Sequence, residues 1–586
     1  MYNNSQHTFK THDQTELFYQ HWESISQKNS SFSIFLAIIL FHRGHEHSDR
    51  MAHLVDELKL TDFDFFAWDA RGHGDSPGAR GDSPSFSACV KDIQYFLQHI
   101  QQQYGIDENN IAIIGQSVGA VLSATWVHDY APKIRALCLA SPAFDIKLYV
   151  PFAEPGLRVL NHIKGNFFIQ SYVKSSMLTH DKERAQTYDT DPKIARSISV
   201  RMLLGLYDAS KRIVADAQNI FVPTQVLCSG SDFVVQQKPQ RDFYDKLPHP
   251  QKEFHVLDGF YHDTIGEKNR AVAIDKIKRF ITQCFANPYQ APDLLHADKI
   301  GSSCAIAETL SAPLPHKSAK YLFWQITKKN LKIGSLLSKG LKIGEDTGYD
   351  SGSTLDFVYR NQTESQNPIG KIIDRQYLNA IGWRGIRIRK ENIEQLFQKY
   401  AKALIENNQP IRILDIASGH GRYILDAVQQ LPQLPNSVLL RDYSEINVKA
   451  GQQMIQERGL EHIAQFVQAD AFDTQSIASI DPRPTLGVVS GLYELFSDND
   501  LLRRSLNGLS QAIEKNGYLI YTGQIWHPQQ EFIARALTSH REGDAWVMRL
   551  RSQAEMDALV EAAGFKKVDQ NIDDFGIFTV SVAQKL

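Results

Sequence analysis

A serine held between two glycines, Gly115-Gln-Ser117-Val118-Gly119, follows the apolar run Ile111 to Ile114. A strand ending in such a turn lifts a hydroxyl clear of a sheet edge, the placement a nucleophile needs. An unactivated serine hydroxyl is a poor nucleophile, so a base must lie within hydrogen-bond reach and a carboxylate must orient that base. Both follow in the order Ser, Asp, His: Asp232 comes directly after TQVLCSGS, and His262 lies in the loop after KEFHVLDGFY. His255 competes for the second role, but it falls inside a strand-like run where alternation makes it structural. Acyl transfer also builds negative charge on a carbonyl oxygen, which calls for two backbone N–H donors. Val118 supplies one by following the nucleophile. Gly44, in the loop Phe41-His-Arg-Gly-His-Glu-His-Ser48, is the expected second, with Arg43 the close alternative. His42, His45 and His47 in that loop lack a matching remote set of carboxylates and histidines, so no metal is expected there.

A second glycine turn, Asp415-Ile-Ala417-Ser-Gly419-His-Gly421, follows the run Ile411-Arg-Ile-Leu414. Glycines let main chain approach a ligand, and the helix start beyond offers free amides. A dinucleotide fingerprint would place a third glycine at Ile424, which weakens that reading. S-adenosyl-L-methionine fits better. SVLLRD ends in Asp442, suited to two ribose hydroxyls, and AQFVQAD ends in Asp470, suited to an adenine edge, giving acidic residues at three successive strand ends with Asp415. Methyl transfer from a sulfonium relies chiefly on positioning, so no obligatory base can be read off. Tyr493 and Glu494, after the fourth strand, are the expected acceptor-side groups, followed by His527, His540 and Arg541; equally, Tyr493 and Glu494 could only pack the cofactor and cap the next turn.

The elements that must carry these turns are two α/β series. At 586 residues the chain exceeds one core, so two domains are expected. Through residue 285, FSIFLAIILF, DFDFFAWDA, NIAIIGQS, IRALCLASP, TQVLCSGSD and KEFHVLDG alternate with helix-length segments, which predicts a mostly parallel sheet covered on both faces. Residues 143–217 break this rhythm and read as an inserted cap. Residues 286–316, rich in Pro, Ala, Ser and His, read as a linker. Residues 317–384 are expected to form a basic, helical accessory segment; within 317–344, seven lysines are interleaved with aromatic and aliphatic residues and no acid. That stretch suits peripheral contact with an anionic membrane surface or a basic helix packed on the second domain, and the residues leave both open. Residues 385–586 hold the second series, closed by the pair KKVDQNI and GIFTVSVAQ.

A net charge of −3, with 42% hydrophobic and 22% charged residues, gives no global field for nucleic acid. The five cysteines are widely separated with no CxxC pair, as buried thiols of a reducing compartment would be. The polar N-terminus lacks a signal-peptide core, and Phe32 to Phe41 is shorter than the about 20 apolar residues a membrane helix needs. A cytoplasmic location is expected.

FHRGHEHSDR, WDARGHGDSPG, GQSVGA and the SGSD and GFYHD segments together resemble the α/β-hydrolases of the monoglyceride lipase and serine aminopeptidase-like group, over residues 8–283. The resemblance implies hydrolysis of lipid-like carboxylic esters such as monoacylglycerols and lysophospholipids. Arg43 departs from the glycine of many members, and a changed acyl pocket is expected from it. Residues 317–586, with GLYELFSDND, YTGQIWHPQ, ALTSHR and AWVMRLR, resemble class I S-adenosylmethionine-dependent methyltransferases with a Rossmann-like sheet, and within them a bacterial group fused behind such hydrolases. The combined expectation is a bifunctional enzyme acting on small-molecule or lipid substrates. The alternative keeps only the hydrolase and makes the second domain a cofactor-binding regulatory or scaffolding module.

Overall fold

The computed structural model describes residues 2–25, 35–248, 250–290, 292–541 and 543–586. The chain divides into two compact units, Met1–Pro292 and Asp293–Leu586.

In the first unit the strands are β1 (Asn3–Lys10), β2 (Glu16–Glu23), β3 (Leu36–Phe41), β4 (Phe63–Trp68), β5 (Ile111–Gln116), β6 (Ala136–Ala140), β7 (Phe168–Gln170), β8 (Ser197–Ser199), β9 (Thr224–Ser229) and β10 (Lys252–Leu257). Eight of them form one sheet in the order β1-β2-β4-β3-β5-β6-β9-β10. The β1–β2 and β2–β4 pairs are antiparallel and the rest parallel. β4, β5, β6 and β9 are buried along their whole length, which is why they read as largely apolar runs rather than alternating ones. The expected first strand began at Phe32; residues 32–34 lie outside the described residues, and β3 starts at Leu36.

β5 feeds the helix Val118–Tyr130 through a turn that only small residues permit. A Cβ on Gly119 would stand 2.5 Å from the carbonyl oxygens of Phe41 and His42, and one on Gly115 would stand 2.8 Å from the Gly119 carbonyl oxygen. Between them Ser117 takes φ 53°, ψ −111°, a conformation unfavourable for a residue with a side chain. The segment expected as a cap carries the helices Ala153–Lys164, Lys182–Thr190 and Val200–Ala215 and the small antiparallel pair β7–β8.

The second unit contains β11 (Arg412–Ile416), β12 (Ser437–Asp442), β13 (Ala464–Gln468), β14 (Leu486–Val489), β15 (Tyr518–Gln524), β16 (Phe565–Ile572) and β17 (Phe578–Lys585). Their order is β13-β12-β11-β14-β15-β17-β16, with β17 antiparallel to both neighbours. The helix Ile381–Glu406 lays Ile393, Leu396 and Phe397 into the core cluster that also holds Ile413 and Val488. Burying each such side chain stabilises the fold by about 1.5–3 kcal/mol.

One boundary differs from the sequence reading. Residues 286–316, expected as a linker, carry the helices Ala297–Ile300 and Ser302–Ser311, and the second unit begins at Asp293. Arg535 supplies the reason: its guanidinium donates to the carbonyl oxygens of Thr309 and Ala312 at the end of the second of these helices, satisfying acceptors a helix end leaves open. The accessory segment is wholly helical in its ordered elements: Ala319–Ser335, Lys339–Thr347, Gly352–Arg360, Pro368–Leu378 and the start of Ile381–Glu406.

Candidate active sites

Ser117, Asp232 and His262 come together at the C-terminal edge of the first sheet. Ser117 Oγ lies 2.8 Å from His262 Nε2, and His262 Nδ1 lies 2.9 Å from Asp232 Oδ2. All three are buried, at 5%, 4% and 3% exposure. Since ionised Asp232 can only accept, Nδ1 carries the proton and Nε2 is left to accept from the serine hydroxyl. The other oxygen, Asp232 Oδ1, accepts from the amides of Val234 and Val235 at 2.7 and 3.0 Å. Burial alone would raise its pKa, but His262 and these amides outweigh burial and hold Asp232 below the usual carboxylate range. The arrangement gives a hydroxyl, a neutral base and a fixed anion in line, which is what proton removal from a serine requires.

Gly44 packs directly on the residue after the serine: a Cβ there would stand 2.9 Å from Val118 Cγ2. That closeness brings the loop after β3 to the start of the helix Val118–Tyr130, where both expected N–H donors lie. Arg43, which departs from the glycine of many members, turns into the interior. Its buried guanidinium is held by Glu46 at 2.6 Å, lies 4.0 Å from Asp263 and sits 5.2 Å above the Tyr188 ring. Two carboxylates and an aromatic ring in the interior account for an arginine at this position.

The neighbouring histidines are separately engaged. His42 Nδ1 donates to the Arg43 carbonyl oxygen while its Nε2 accepts from the Ala70 amide, and burial pushes its pKa down to about 4. His47 Nε2 meets Asp191 at 2.8 Å. Among the described residues no group of three or more His, Cys, Asp or Glu could hold a metal ion. His255 sits on the edge strand β10, 2.8 Å from Glu253 and away from Ser117's partners.

In the second unit the glycine turn joins β11 to the helix Arg422–Gln429, with Ala417, Gly419 and Gly421 all at left-handed φ of 57°, 58° and 75°. A side chain on Gly421 would meet Leu440 at 2.7 Å. Asp442, the last residue of β12, braces the turn: Oδ2 accepts from the Gly419 amide at 2.8 Å, and Oδ1 from Ser444 and Asn447. Asp470 is exposed beyond β13 and accepts from the Phe472 amide. The helix Gly352–Arg360 lies across the turn, with Arg422 Nε 2.5 Å from Asp356 and Gly352 Cα 3.5 Å from where a Gly419 Cβ would be.

Two sequence-read residues of this unit prove to be internal. Asp415 is completely buried behind the turn, both oxygens accept from the Tyr423 hydroxyl at 2.8 Å, and burial pushes its pKa up to about 8 against those bonds. It positions the turn rather than facing a ligand. Tyr493 is also buried, its hydroxyl 3.0 Å from Ser505 Oγ, and it does not line the adjoining cavity, so it is no acceptor-side group. Glu494 does line that cavity, with His527 and with Arg389 and Gln524, which sequence reasoning missed. The spacing Ile386, Arg389, Ile393, Leu396 places Arg389 on the apolar face of its helix, and this was the available signal. His540 instead pairs with Asp350 at 3.1 Å, and Arg541 lies over the Phe496 ring.

Comparisons with known proteins agree with this division. The family model described as "Putative methyltransferase" matches residues 277–585, and that described as "Serine aminopeptidase, S33" matches residues 34–269. "Uncharacterized protein YnbC" of Escherichia coli (strain K12) is 50% identical over 99% of this chain and 98% of its own length. "Monoglyceride lipase" of Rattus norvegicus is 26% identical over 38% of this chain and 74% of its own. A solved monoacylglycerol lipase from Paleococcus ferrophilus covers 46% of this chain and 99% of its own at 22% identity, with TM-score 0.40. With its second unit matched almost end to end, the chain belongs to the family described as "Putative methyltransferase", and it carries a lipase-like α/β-hydrolase domain ahead of that unit.

Proposed function

We propose that the chain is a bifunctional enzyme: a serine hydrolase of lipid-like carboxylic esters, of monoacylglycerol or lysophospholipid type, joined to an S-adenosyl-L-methionine-dependent methyltransferase. The observation carrying the first half is the relay from Ser117 through His262 to Asp232, at 2.8 and 2.9 Å. Ser117 Oγ bonds to the acyl carbon as its proton passes to His262 Nε2, and the carbonyl π pair moves onto oxygen, facing the Val118 and Gly44 amides. Collapse breaks the bond to the alcohol oxygen, which leaves with the proton from Nε2. Water then adds to the acyl-serine, giving its proton to the same nitrogen; the carboxylic acid departs and Ser117 regains its hydrogen. Asp232 stays ionised throughout, offsetting the charge on the imidazolium. The likeness to monoglyceride lipases supports a lipid-like ester. A fluorophosphonate probe should label wild type at Ser117 and leave Ser117→Ala unlabelled; an unlabelled wild type would overturn the reading.

When bound, S-adenosyl-L-methionine supplies an electrophilic methyl group on a sulfonium. The residues present fit it. Gly419 and Gly421 keep side chains off the turn, Asp442 ends the next strand, and Ser490 Oγ, beside Gly491 at the end of β14, is buried without a hydrogen-bond partner. Asp442 would hold the ribose hydroxyls, Asp470 the adenine edge and the backbone at Ala417, Gly419 and Gly421 the amino-acid portion, while Asp415 fixes the turn from behind. Calorimetric titration of the cofactor tests this, and absence of binding by the full chain would sink it.

Contact with an anionic membrane, from the cytoplasmic side, is the third part of the proposal. On the helix Ala319–Ser335 the side toward Phe532 packs through Trp324, while Leu322, Phe323, Ile326 and Ile333 are exposed among Lys328, Lys329 and Lys332. Among the described residues no helix is long and apolar enough to cross a membrane. Flotation with anionic vesicles should weaken in Lys328→Glu/Lys329→Glu; binding indifferent to lipid charge would remove this part alone.

A further inference from the structure

The cavity beside Glu494 has a volume of about 300 Å³. Its walls come from elements far apart in sequence: Leu341 from Lys339–Thr347, Tyr377 from Pro368–Leu378, Trp383 and Ile386 from Ile381–Glu406, and Ile533 and Trp546 from the segment after β15. Among these walls stand the polar groups Arg389, Glu494, Gln524 and His527, and the lining also holds Asp350, Gln376, Gln529, the Tyr377 hydroxyl and the Trp546 N–H. Gln524 ends β15, His527 follows it, and Thr522 of β15 donates to Glu494 Oε1 at 2.8 Å. Glu494, Gln524 and His527 therefore gather at the C-terminal edge of β14 and β15, and β14 is the neighbour of β11, whose C-terminal end carries the glycine turn.

Three properties of this end define what can occupy it. Arg389 Nη1 and Glu494 Oε1 lie 3.7 Å apart and both side chains are almost wholly buried, so their charges compensate each other. An anionic ligand would compete with Glu494 for the guanidinium and a cationic one would compete with Arg389; either leaves uncompensated charge among apolar walls, which is costly. Glu494 Oε2 has no hydrogen-bond partner and neither have the donors Arg389 Nε and Trp546 Nε1, so the complementary ligand brings both a donor and an acceptor. His527 Nδ1 accepts from the Gln529 amide at 3.0 Å, which leaves the ring proton on Nε2, and burial pushes its pKa down to about 4. His527 is thus a neutral donor near pH 7. Space is kept beside it by Gly382, where a Cβ would stand 2.9 Å from Nε2. A hydroxyl is the simplest uncharged group that both donates to a carboxylate and accepts from an imidazole N–H.

We propose that this cavity binds a neutral amphiphile, its apolar body against the aromatic and aliphatic walls and a single hydroxyl between Glu494 and His527. That this ligand is the methyl acceptor rests on the methyltransferase reading; its chemical class does not.

Isothermal titration of the full chain with 1-octanol, octanoate and octylammonium, without S-adenosyl-L-methionine, tests the class. Octanol should bind at least tenfold more tightly than either ion. Ile386→Trp, which fills the cavity, should remove that binding and so assigns the heat to this site rather than to the ester pocket of the hydrolase. Glu494→Gln, which keeps the shape but leaves Arg389 uncompensated, should raise octanoate affinity at least tenfold relative to octanol. Equal or tighter wild-type binding of either ion would overturn the proposal, as would octanol binding unchanged in a folded Ile386→Trp protein or an octanoate preference unmoved by Glu494→Gln. A separate titration with the cofactor keeps the two readings apart: its failure removes the methyltransferase reading and leaves octanol selectivity standing.

Discussion

The turn at Ser117 and the turn at Gly419 are built alike, each a parallel strand feeding a helix through residues at positive φ, yet their polar groups are spent differently. Around Ser117 the side chains converge on one another, hydroxyl to imidazole to carboxylate, in a chain that begins at the reacting atom. Around Gly419 they converge on the scaffold: Asp442 on the turn's own amide, Asp415 on Tyr423, Tyr493 on Ser505. The contrast is the one the two proposed reactions call for. Acyl transfer needs a proton moved at a fixed place, whereas methyl transfer needs two reactants held in line, so in the second unit the informative groups are in the cavity wall rather than in the turn.

The largest effect that would break this contrast is at the relay. His262→Ala should lower ester hydrolysis by about 10⁴–10⁶-fold while calorimetric binding of S-adenosyl-L-methionine is unchanged. Next comes Gly119→Ala: with a Cβ 2.5 Å from two carbonyl oxygens, it should destabilise the first unit by about 2–4 kcal/mol. Thermal melting followed by limited proteolysis should find the loss confined to residues before Asp293. Asp442→Ala should weaken cofactor binding by about tenfold or more, since it removes a carboxylate and the brace on Gly419 together; unaltered affinity would assign ribose recognition elsewhere.

The smallest predicted effect concerns Asp415. Its pKa, about 8 in the folded state against 3.8 for the ordinary group, means the native protein holds a proton that the unfolded chain releases. The stability this provides is present below about pH 4 and is lost as pH rises through about 8. Melting of the second unit should therefore fall between pH 5 and pH 8 by a few degrees more in wild type than in Asp415→Asn. Parallel curves for the two proteins would show that Asp415 is ionised in the fold.

Much of this was readable in the sequence for one physical reason. Strands buried on both faces are largely apolar runs, so β4, β5, β6 and β9 announced themselves; Ser117 and Asp232 sit just beyond two of them, and His262 beyond the edge strand β10. Direction of a side chain is not written in that pattern. Tyr493 and Glu494 are adjacent after β14, yet one turns to Ser505 and the other to the cavity, a choice made by helices packed from elsewhere. The cavity was invisible because Leu341, Tyr377, Trp383 and Trp546 meet only after four separate segments have folded together. The helices after Asp293 were hidden by a composition rich in Pro, Ala, Ser and His, and the carbonyl oxygens at the end of one of them are met by Arg535, more than two hundred residues later.

The independence of the two sites is open to a single comparison by mass spectrometry of a lipid extract incubated with cofactor and with wild type, Ser117→Ala or Asp442→Ala protein. Ser117→Ala should lose the released carboxylic acids and keep every methylated product, and Asp442→Ala should do the reverse. One substitution abolishing both product sets would refute independent sites, and a wild type that yields only one set would refute a bifunctional enzyme.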